Sequence, residues 1–174
     1  VFVSDSEDLN FSLANAPSGN NLFIMFGDTN VAIVVTGKAP ADQSSGANVT
    51  TGDTIVTSQD GGTTTIGVNN QMFDPPAANK AGEGAYFTFV TGANSGFTVP
   101  NLSPTEANVE GNILFNDVFG AQAATFTVSQ LQPANKAATL KISAKTTDAE
   151  PGANFVNGLG DADDQPITID QVKI

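Results

Sequence analysis

The most constraining feature of this sequence is an apolar stretch, residues 22–35, that is interrupted at its centre by turn-forming residues. It reads LFIMF, then GDTN, then VAIVV, and Gly, Asp and Asn favour tight reversals of the chain. We therefore predict two short strands, residues 22–26 and 31–35, joined as a hairpin. Neither strand alternates polar with apolar residues, so both of its faces must be covered. We expect the hairpin to lie in the middle of the core, or with one face against another subunit.

Most of the remaining chain also has the pattern of short strands, separated by loops rich in Gly, Pro, Asn and Asp. Apolar and polar residues alternate most clearly at 124–131 and 138–145, where we expect the polar side chains to face water. About ten strands at this spacing are typical of sandwiches and barrels. We predict an all-β protein, with residues 1–174 forming a single β-sandwich of jelly-roll-like topology. Other predicted strands are residues 53–58, 62–68, 85–91, 109–115 and 166–174.

The first predicted strand has two interpretations. Leu9, Phe11 and Leu13 alternate with polar residues, directly after the acidic segment at residues 4–8. This strand is either an ordinary first strand of the sandwich or a strand that pairs with the next subunit. In such strand addition, backbone hydrogen bonds supply the affinity and alternate side chains set the register. Residues 1–16 are therefore a candidate subunit-pairing segment.

The composition argues against most enzymatic and nucleic-acid functions. The chain has 18 acidic and 6 basic residues, a net charge of −12, and neither histidine nor cysteine. It therefore lacks the usual general base, the thiol nucleophile and the ligands of most zinc sites. Its few lysines are too dispersed for a phosphate backbone or an anionic membrane surface. We predict a protein that is not an enzyme, has no nucleic-acid partner and does not insert into membranes, since the apolar stretch is broken by polar turn residues.

An acidic loop, residues 148–164, is the best candidate site. Asp161, Asp163 and Asp164 fall within 4 residues of sequence, and calcium prefers carboxylate and carbonyl oxygens. The spacing is not that of an EF-hand, because neither the glycine at position 6 nor the glutamate at position 12 is present. Two interpretations stay open: a solvated acidic loop, and a Ca²⁺ site formed by these three aspartates.

Two observations predict an extracellular or cell-surface location. Residues 109–117, VEGNILFND, resemble the G-N-x-L-x-N-D phrase of cadherin-like repeats in secreted bacterial adhesins, although the acidic D-x-D-G continuation is missing. This resemblance covers nine residues and implies a cell-surface setting. The chain also begins with Val1 rather than Met, which we interpret as a processed terminus.

These observations predict a non-enzymatic structural subunit of a self-assembling surface structure, such as a pilus-like filament or surface layer. Its subunits would be joined by β-strand addition, so the main partner would be a second copy. One alternative is a carbohydrate-binding or adhesive jelly-roll module, calcium-dependent, with glycans as partners; the single Tyr and absent Trp weigh against a sugar-stacking platform. The other alternative is a virion capsid or decoration protein, which also uses jelly rolls.

Overall fold

The computed structural model describes residues 13–60, 63–78, 82–128, 137, 139–148 and 150–174. Within these residues the chain is mostly β with little helix, as the sequence predicts, and its paired strands are antiparallel. The strands are β1 (Asn20–Asn21), β2 (Phe23–Gly27), β3 (Ala32–Gly37), β4 (Ile55–Asp60), β5 (Thr63–Val68), β6 (Ala85–Thr91), β7 (Asp117–Val118), β8 (Ala144–Lys145) and β9 (Pro166–Ile167).

The strands form three sheets, and helical structure is confined to short turns. The sheet orders are β1-β4-β5, β2-β3-β6-β7 and β8-β9. One short α-helix, α1 (Phe155–Gly158), follows a 3₁₀ turn at Gly152–Asn154. Other 3₁₀ turns are Ser95–Phe97, Glu106–Asn108 and Glu110–Asn112.

The hairpin predicted at residues 22–35 is confirmed as β2 and β3. Its register runs from Phe23 opposite Thr36 to Gly27 opposite Ala32. The Asp28 side chain closes the turn, because its Oδ1 accepts hydrogen bonds from the backbone N–H groups of Asn30 and Val31, at 2.7 and 3.1 Å. A short polar side chain that caps its own turn is the reason an Asp-Thr-Asn sequence reverses the chain here.

Both faces of this hairpin are buried, as its lack of alternation predicts. Along β2, Phe23 and Met25 belong to one apolar cluster, which also includes Val34. The intervening residue Ile24 belongs to a second cluster, on the opposite face, with Val35. Because side chains alternate between the two faces of a strand, a continuous apolar run supplies both clusters.

The two clusters are covered in different ways. The sheet β1-β4-β5 contributes Ile55 and Val68 to the cluster that contains Ile24. The other cluster is covered from outside the sheets by Leu102, Ile113 and Phe155, among others. One sheet face therefore packs on a second sheet, and the other packs on short helical turns and loops.

A capping box organises the segment that leads into these turns. The Ser103 hydroxyl donates to Glu106 Oε2 at 2.7 Å, and the Ser103 backbone N–H donates to the same oxygen at 2.9 Å. The Glu106 N–H in turn donates to Ser103 Oγ at 3.4 Å. This reciprocal arrangement satisfies donors that a helix start otherwise leaves unpaired, and it leads into the 3₁₀ turn at Glu106–Asn108.

The strand predicted at residues 109–115 is wrong, because this segment is the 3₁₀ turn Glu110–Asn112. The Ile113 N–H donates back to Glu110 O at 3.0 Å, and the Glu110 side chain is buried. Gly111 and Asn112 are turn-forming residues, so local turn chemistry prevails over the apolar residues on either side.

The strands predicted at 124–131, 138–145 and 166–174 are found only in part. Residues 124–128 are described and contain no strand, whereas the strand predicted at 138–145 is reduced to β8 and that at 166–174 to β9. All described side chains at 120–128 and 165–174 are exposed. The expected half-buried sheet is therefore absent from the described part of this region, since nothing in that part covers its apolar face.

Two phenylalanines provide a test of which part of the chain holds the fold together. Phe155 is fully buried and packs edge-on against Phe115, with 5.6 Å between ring centroids. We expect Phe155→Ala to lower the free energy of unfolding by about 3–5 kcal/mol, because it leaves a cavity. Phe126→Ala removes the same atoms from an exposed position, and we expect a change below about 0.5 kcal/mol in the monomer. Urea denaturation measures both, and equal losses would contradict this assignment of the core.

Candidate functional site

An exposed apolar surface lies on β8, β9 and the residues that flank them. Leu140 is 59% exposed, Ile142 42%, Ile167 47% and Ile169 41%. Single exposed aliphatic side chains are ordinary on protein surfaces. Four within two segments that pair with each other are more than scattered single residues, and clusters of exposed apolar side chains are typical of interaction sites.

The register of the β8–β9 pair places these side chains on one face. Ala144 lies opposite Ile167, and directly opposite residues of an antiparallel pair point to the same side. The pairing continues beyond the strands, because the Thr146 N–H donates to Gln165 O at 2.8 Å. Beyond the strands no pairing is found at residues 141–143 and 168–170, but Leu140 and Ile142 share the sequence parity of Ala144, and Ile169 shares that of Ile167. We call the set Leu140, Ile142, Ala144, Ile167 and Ile169 the apolar hairpin face.

The segment that contains β8 carries lysine side chains at the positions between its apolar residues. Lys141 and Lys145 alternate with the apolar side chains, with Ser143 between them, and all three are exposed. Lys173 lies exposed near the end of the segment that follows β9. Three of the 6 basic residues of this strongly acidic chain therefore lie at or close to this hairpin.

The hairpin is suited to receiving another extended segment. In the described part of the chain, β8 pairs only with β9, so no described strand occupies the other edge of β8. An isolated two-stranded hairpin is only marginally stable in water, and an open edge is a template for a further strand. A strand with apolar residues on one side and polar residues on the other would match both faces.

The predicted subunit-pairing strand lies mostly outside the described residues. Leu9 and Phe11 lie outside the described residues. Leu13 is described, and it packs against the cluster that contains Ile24 in its own chain. The Leu13 carbonyl accepts a hydrogen bond from the Ala16 N–H at 2.9 Å. Leu13 is therefore part of the fold of its own chain, and the subunit-pairing role of Leu9 and Phe11 stays a prediction.

The three aspartates predicted to bind calcium have different environments. Asp161 and Asp163 are exposed, whereas Asp164 is buried. The Asp164 Oδ2 accepts a hydrogen bond from the Gly160 N–H at 2.7 Å, and its Oδ1 has no hydrogen-bond partner. In the described ranges, no three Asp, Glu, His or Cys side chains are placed to hold one metal ion together. The calcium site stays a prediction.

A shallow depression formed by residues of this acidic loop contains three carboxylates. Its volume is about 310 Å³, and it is lined by Asp148, Glu150, Asn154, Asn157, Gly158 and Asp161. The 3₁₀ turn and α1 present the two amides, which sequence reasoning missed because a lone Asn in a loop carries no ligand pattern. Asp161 is the member that the sequence prediction and the depression share.

Two carboxyl groups have shifted pKa values, and both lie near the 3₁₀ turns rather than at the hairpin. Burial raises the pKa of Glu110 above the ordinary 4.5 of a glutamate, and the Asp42 carboxyl beside it acts in the same direction. A hydrogen bond from the Gln43 N–H to Glu110 Oε2, at 3.2 Å, opposes this shift. The hydrogen bond from the Ser103 hydroxyl lowers the pKa of Glu106.

Comparison with known proteins adds no functional assignment. No protein-family model matches the chain, and no significant similarity to a curated protein or to a solved structure is found. Among the described residues, none of the helices has the length and apolar character needed to cross a membrane.

The raised pKa of Glu110 predicts a pH dependence of stability. Between the unfolded and folded pKa values the folded state binds more protons, so stability contributed by this group falls as the pH rises through the folded pKa. Glu110→Gln stays neutral, and its amide oxygen can still accept from Gln43. The quantity to compare is the unfolding free energy of Glu110→Gln minus that of the natural chain. We expect this difference to increase from pH 4 to pH 7. Chemical denaturation across that range measures the difference, with exposed Asp117→Asn as control; a constant difference would contradict the assignment.

Proposed function

We propose that this protein is a non-enzymatic structural subunit of an extracellular self-assembling structure, a pilus-like filament or a surface layer, whose subunits are joined by β-strand addition. The observation that carries this proposal is the apolar hairpin face. In the described part of the chain, a well-packed body is accompanied by exposed, alternating apolar side chains on and beside β8 and β9, and β8 pairs there with β9 alone. Covering such a surface is favourable, because burial of apolar area is the main driving force of association.

The fold supports a subunit with a β-sandwich body. The sheets β1-β4-β5 and β2-β3-β6-β7 both contribute to the cluster that contains Ile24 and Ile55, which is how two sheets pack in a sandwich. We infer that the predicted strands beyond β7 complete their pairing in the assembly, so that the single domain of residues 1–174 is finished by its neighbour. Its jelly-roll-like connectivity stays part of this proposal.

The alternative is a calcium-dependent carbohydrate-binding or adhesive module. The depression lined by Asp148, Glu150 and Asp161 supports this alternative, because carboxylates and side-chain amides are the kinds of oxygen ligand that calcium prefers, but in the described structure its three carboxylates are not placed to hold one ion together. A virion capsid or decoration protein would share the self-assembling surface of the leading proposal, and the form of the assembly distinguishes the two.

A pair of adjacent substitutions tests the self-assembly proposal. Ile142→Glu introduces a charge on the apolar hairpin face, whereas Ser143→Glu introduces the same charge on the opposite face of the same strand. We expect the natural chain to form filaments, sheets or shells at neutral pH, Ile142→Glu to abolish them, and Ser143→Glu to retain them. Negative-stain microscopy and light scattering measure assembly. A natural chain that stays monomeric at high concentration would contradict the proposal.

Calcium binding tests the alternative. It also distinguishes the carboxylates of the depression from the aspartates predicted from the sequence. If the depression binds Ca²⁺, millimolar calcium should raise the melting temperature relative to chelator, because a ligand that binds only the folded state stabilises it. We expect Asp148→Asn to remove this shift and Asp163→Asn, outside the depression, to retain it. The opposite result would place calcium at the sequence-predicted aspartates, and an unchanged melting temperature in the natural chain would argue against either site.

A further inference from the structure

One loop of the body is fastened to the 3₁₀ turn at Glu110–Asn112. The Glu110 N–H donates to Gln43 O at 3.0 Å, and the Gln43 N–H donates back to Glu110 Oε2 at 3.2 Å. The side-chain amide of Gln43 also donates to Asn108 O at 3.0 Å. We call residues 41–49 the strap, because these hydrogen bonds hold this segment against the turns.

The strap covers part of the apolar core. Ala41 and Val49, at its two ends, are buried and belong to the cluster that contains Phe23. Between them, Gly46 lies beside Thr105, so that a β-carbon at position 46 would be 3.5 Å from the Thr105 Cβ. The strap therefore cannot leave the turns without withdrawing two apolar side chains from the cluster.

A pair of carboxyl groups lies where the strap meets the turn. Glu110 is only 5% exposed, and the Asp42 carboxyl of the strap lies beside it. A hydrogen bond between two carboxyl groups requires a proton, whereas two ionised carboxylates repel each other. We propose that the Asp42–Glu110 pair is a pH-sensitive latch, which holds the strap closed when Glu110 is protonated and loosens it when Glu110 is ionised.

The direction of the latch follows from the surroundings of Glu110. Burial is the largest cause that raises its pKa above the ordinary 4.5, and the Asp42 carboxyl acts in the same direction. Opening the strap exposes Glu110 to water and removes Asp42, so the ionised form favours the open strap. The closed strap binds the proton more tightly. Its stability is therefore full at acidic pH and is lost as the pH rises through the raised pKa.

The other carboxylates near these turns have different partners. Glu106 Oε2 accepts a hydrogen bond from the Ser103 hydroxyl at 2.7 Å. The 3₁₀ turn Gly152–Asn154 is joined to this region through its Gly152 N–H, and the carboxylates around it line the depression described above: Asp148, Glu150 and Asp161. Of the charged side chains in the described ranges, Asp42 is the one that acts on Glu110.

Hydrogen exchange in dilute solution tests the latch, because the Gln43 and Glu110 N–H groups exchange only when the strap opens. Protection factors, the ratios of intrinsic to measured rates, remove the direct effect of pH on exchange. We expect the factors of both amides to fall at least about threefold between pH 4 and pH 7. At each pH they should stay below that of the Val99 N–H, which donates to Met25 O at 2.8 Å inside the body.

Three variants identify the groups responsible. Glu110→Gln stays neutral, so we expect the Gln43 protection factor to change less than about 1.5-fold over the same range. Asp42→Asn keeps Glu110 but removes the facing charge, so the fall should be smaller than in the natural chain. Asp117→Asn removes an exposed carboxylate on β7 and should keep the full fall.

An engineered disulfide across the strap provides a second arm, since the chain has no native cysteine. The spacing of 3.5 Å between β-carbons at positions 46 and 105 is within the range of disulfides. We expect oxidised Gly46→Cys with Thr105→Cys to lose the pH-dependent fall at Gln43, because the strap cannot open. Reduction of the same variant should restore the fall.

Three results would overturn the latch. One is a natural chain whose protection factors at Gln43 and Glu110 are the same at pH 4 and pH 7, and another is a fall that persists in Glu110→Gln. The third is a Gln43 amide as protected as the Val99 amide at every pH, because exchange then reports unfolding of the whole body. The latch acts within one chain, so none of these results bears on self-assembly.

Discussion

Burial of both faces of the β2–β3 hairpin is the constraint on which the rest of the structure depends. A strand pair without a polar face cannot contact water on either side, so the chain must supply two separate apolar layers. One is the sheet that contributes Ile55 and Val68; the other is built from loops and short turns that bring in Ile113 and Phe155. The turns that contain or flank Leu102, Ile113 and Phe155 are positioned by this second requirement.

The hairpin β8–β9 has the opposite character, and the contrast links the fold to the proposed function. Its sequence alternates cleanly, yet its apolar side chains are 41–59% exposed. Burial of apolar surface stabilises the body around β2 and β3, and it would be favourable for this face as well. No described part of the chain covers the face. Association with a second copy would remove that exposed area, whereas a monomer would retain it at a cost in solubility.

Local sequence patterns predict those elements whose structure depends mainly on their own residues and immediate neighbours. Strand β6 was predicted at residues 85–91 and is found there, because its β-branched and aromatic residues are bounded by glycines on both sides. The strand predicted at residues 109–115 is wrong because Gly111 and Asn112 form a turn. Glu110 is held there by hydrogen bonds with the backbone of Gln43. At the candidate site, sequence named Asp161 but missed the amides of Asn154 and Asn157, which only the turn before α1 brings to the same depression.

The sequence by itself determined the class of the fold, the central hairpin and its need for cover on two sides, since continuous apolar runs and turn residues act over a few positions. Only the tertiary structure decided which alternating strands find a partner. Residues 85–91 pair with β3, whereas among the described residues Ala144 and Lys145 pair only with β9. Alternation specifies that a strand needs an apolar surface without specifying which segment provides it.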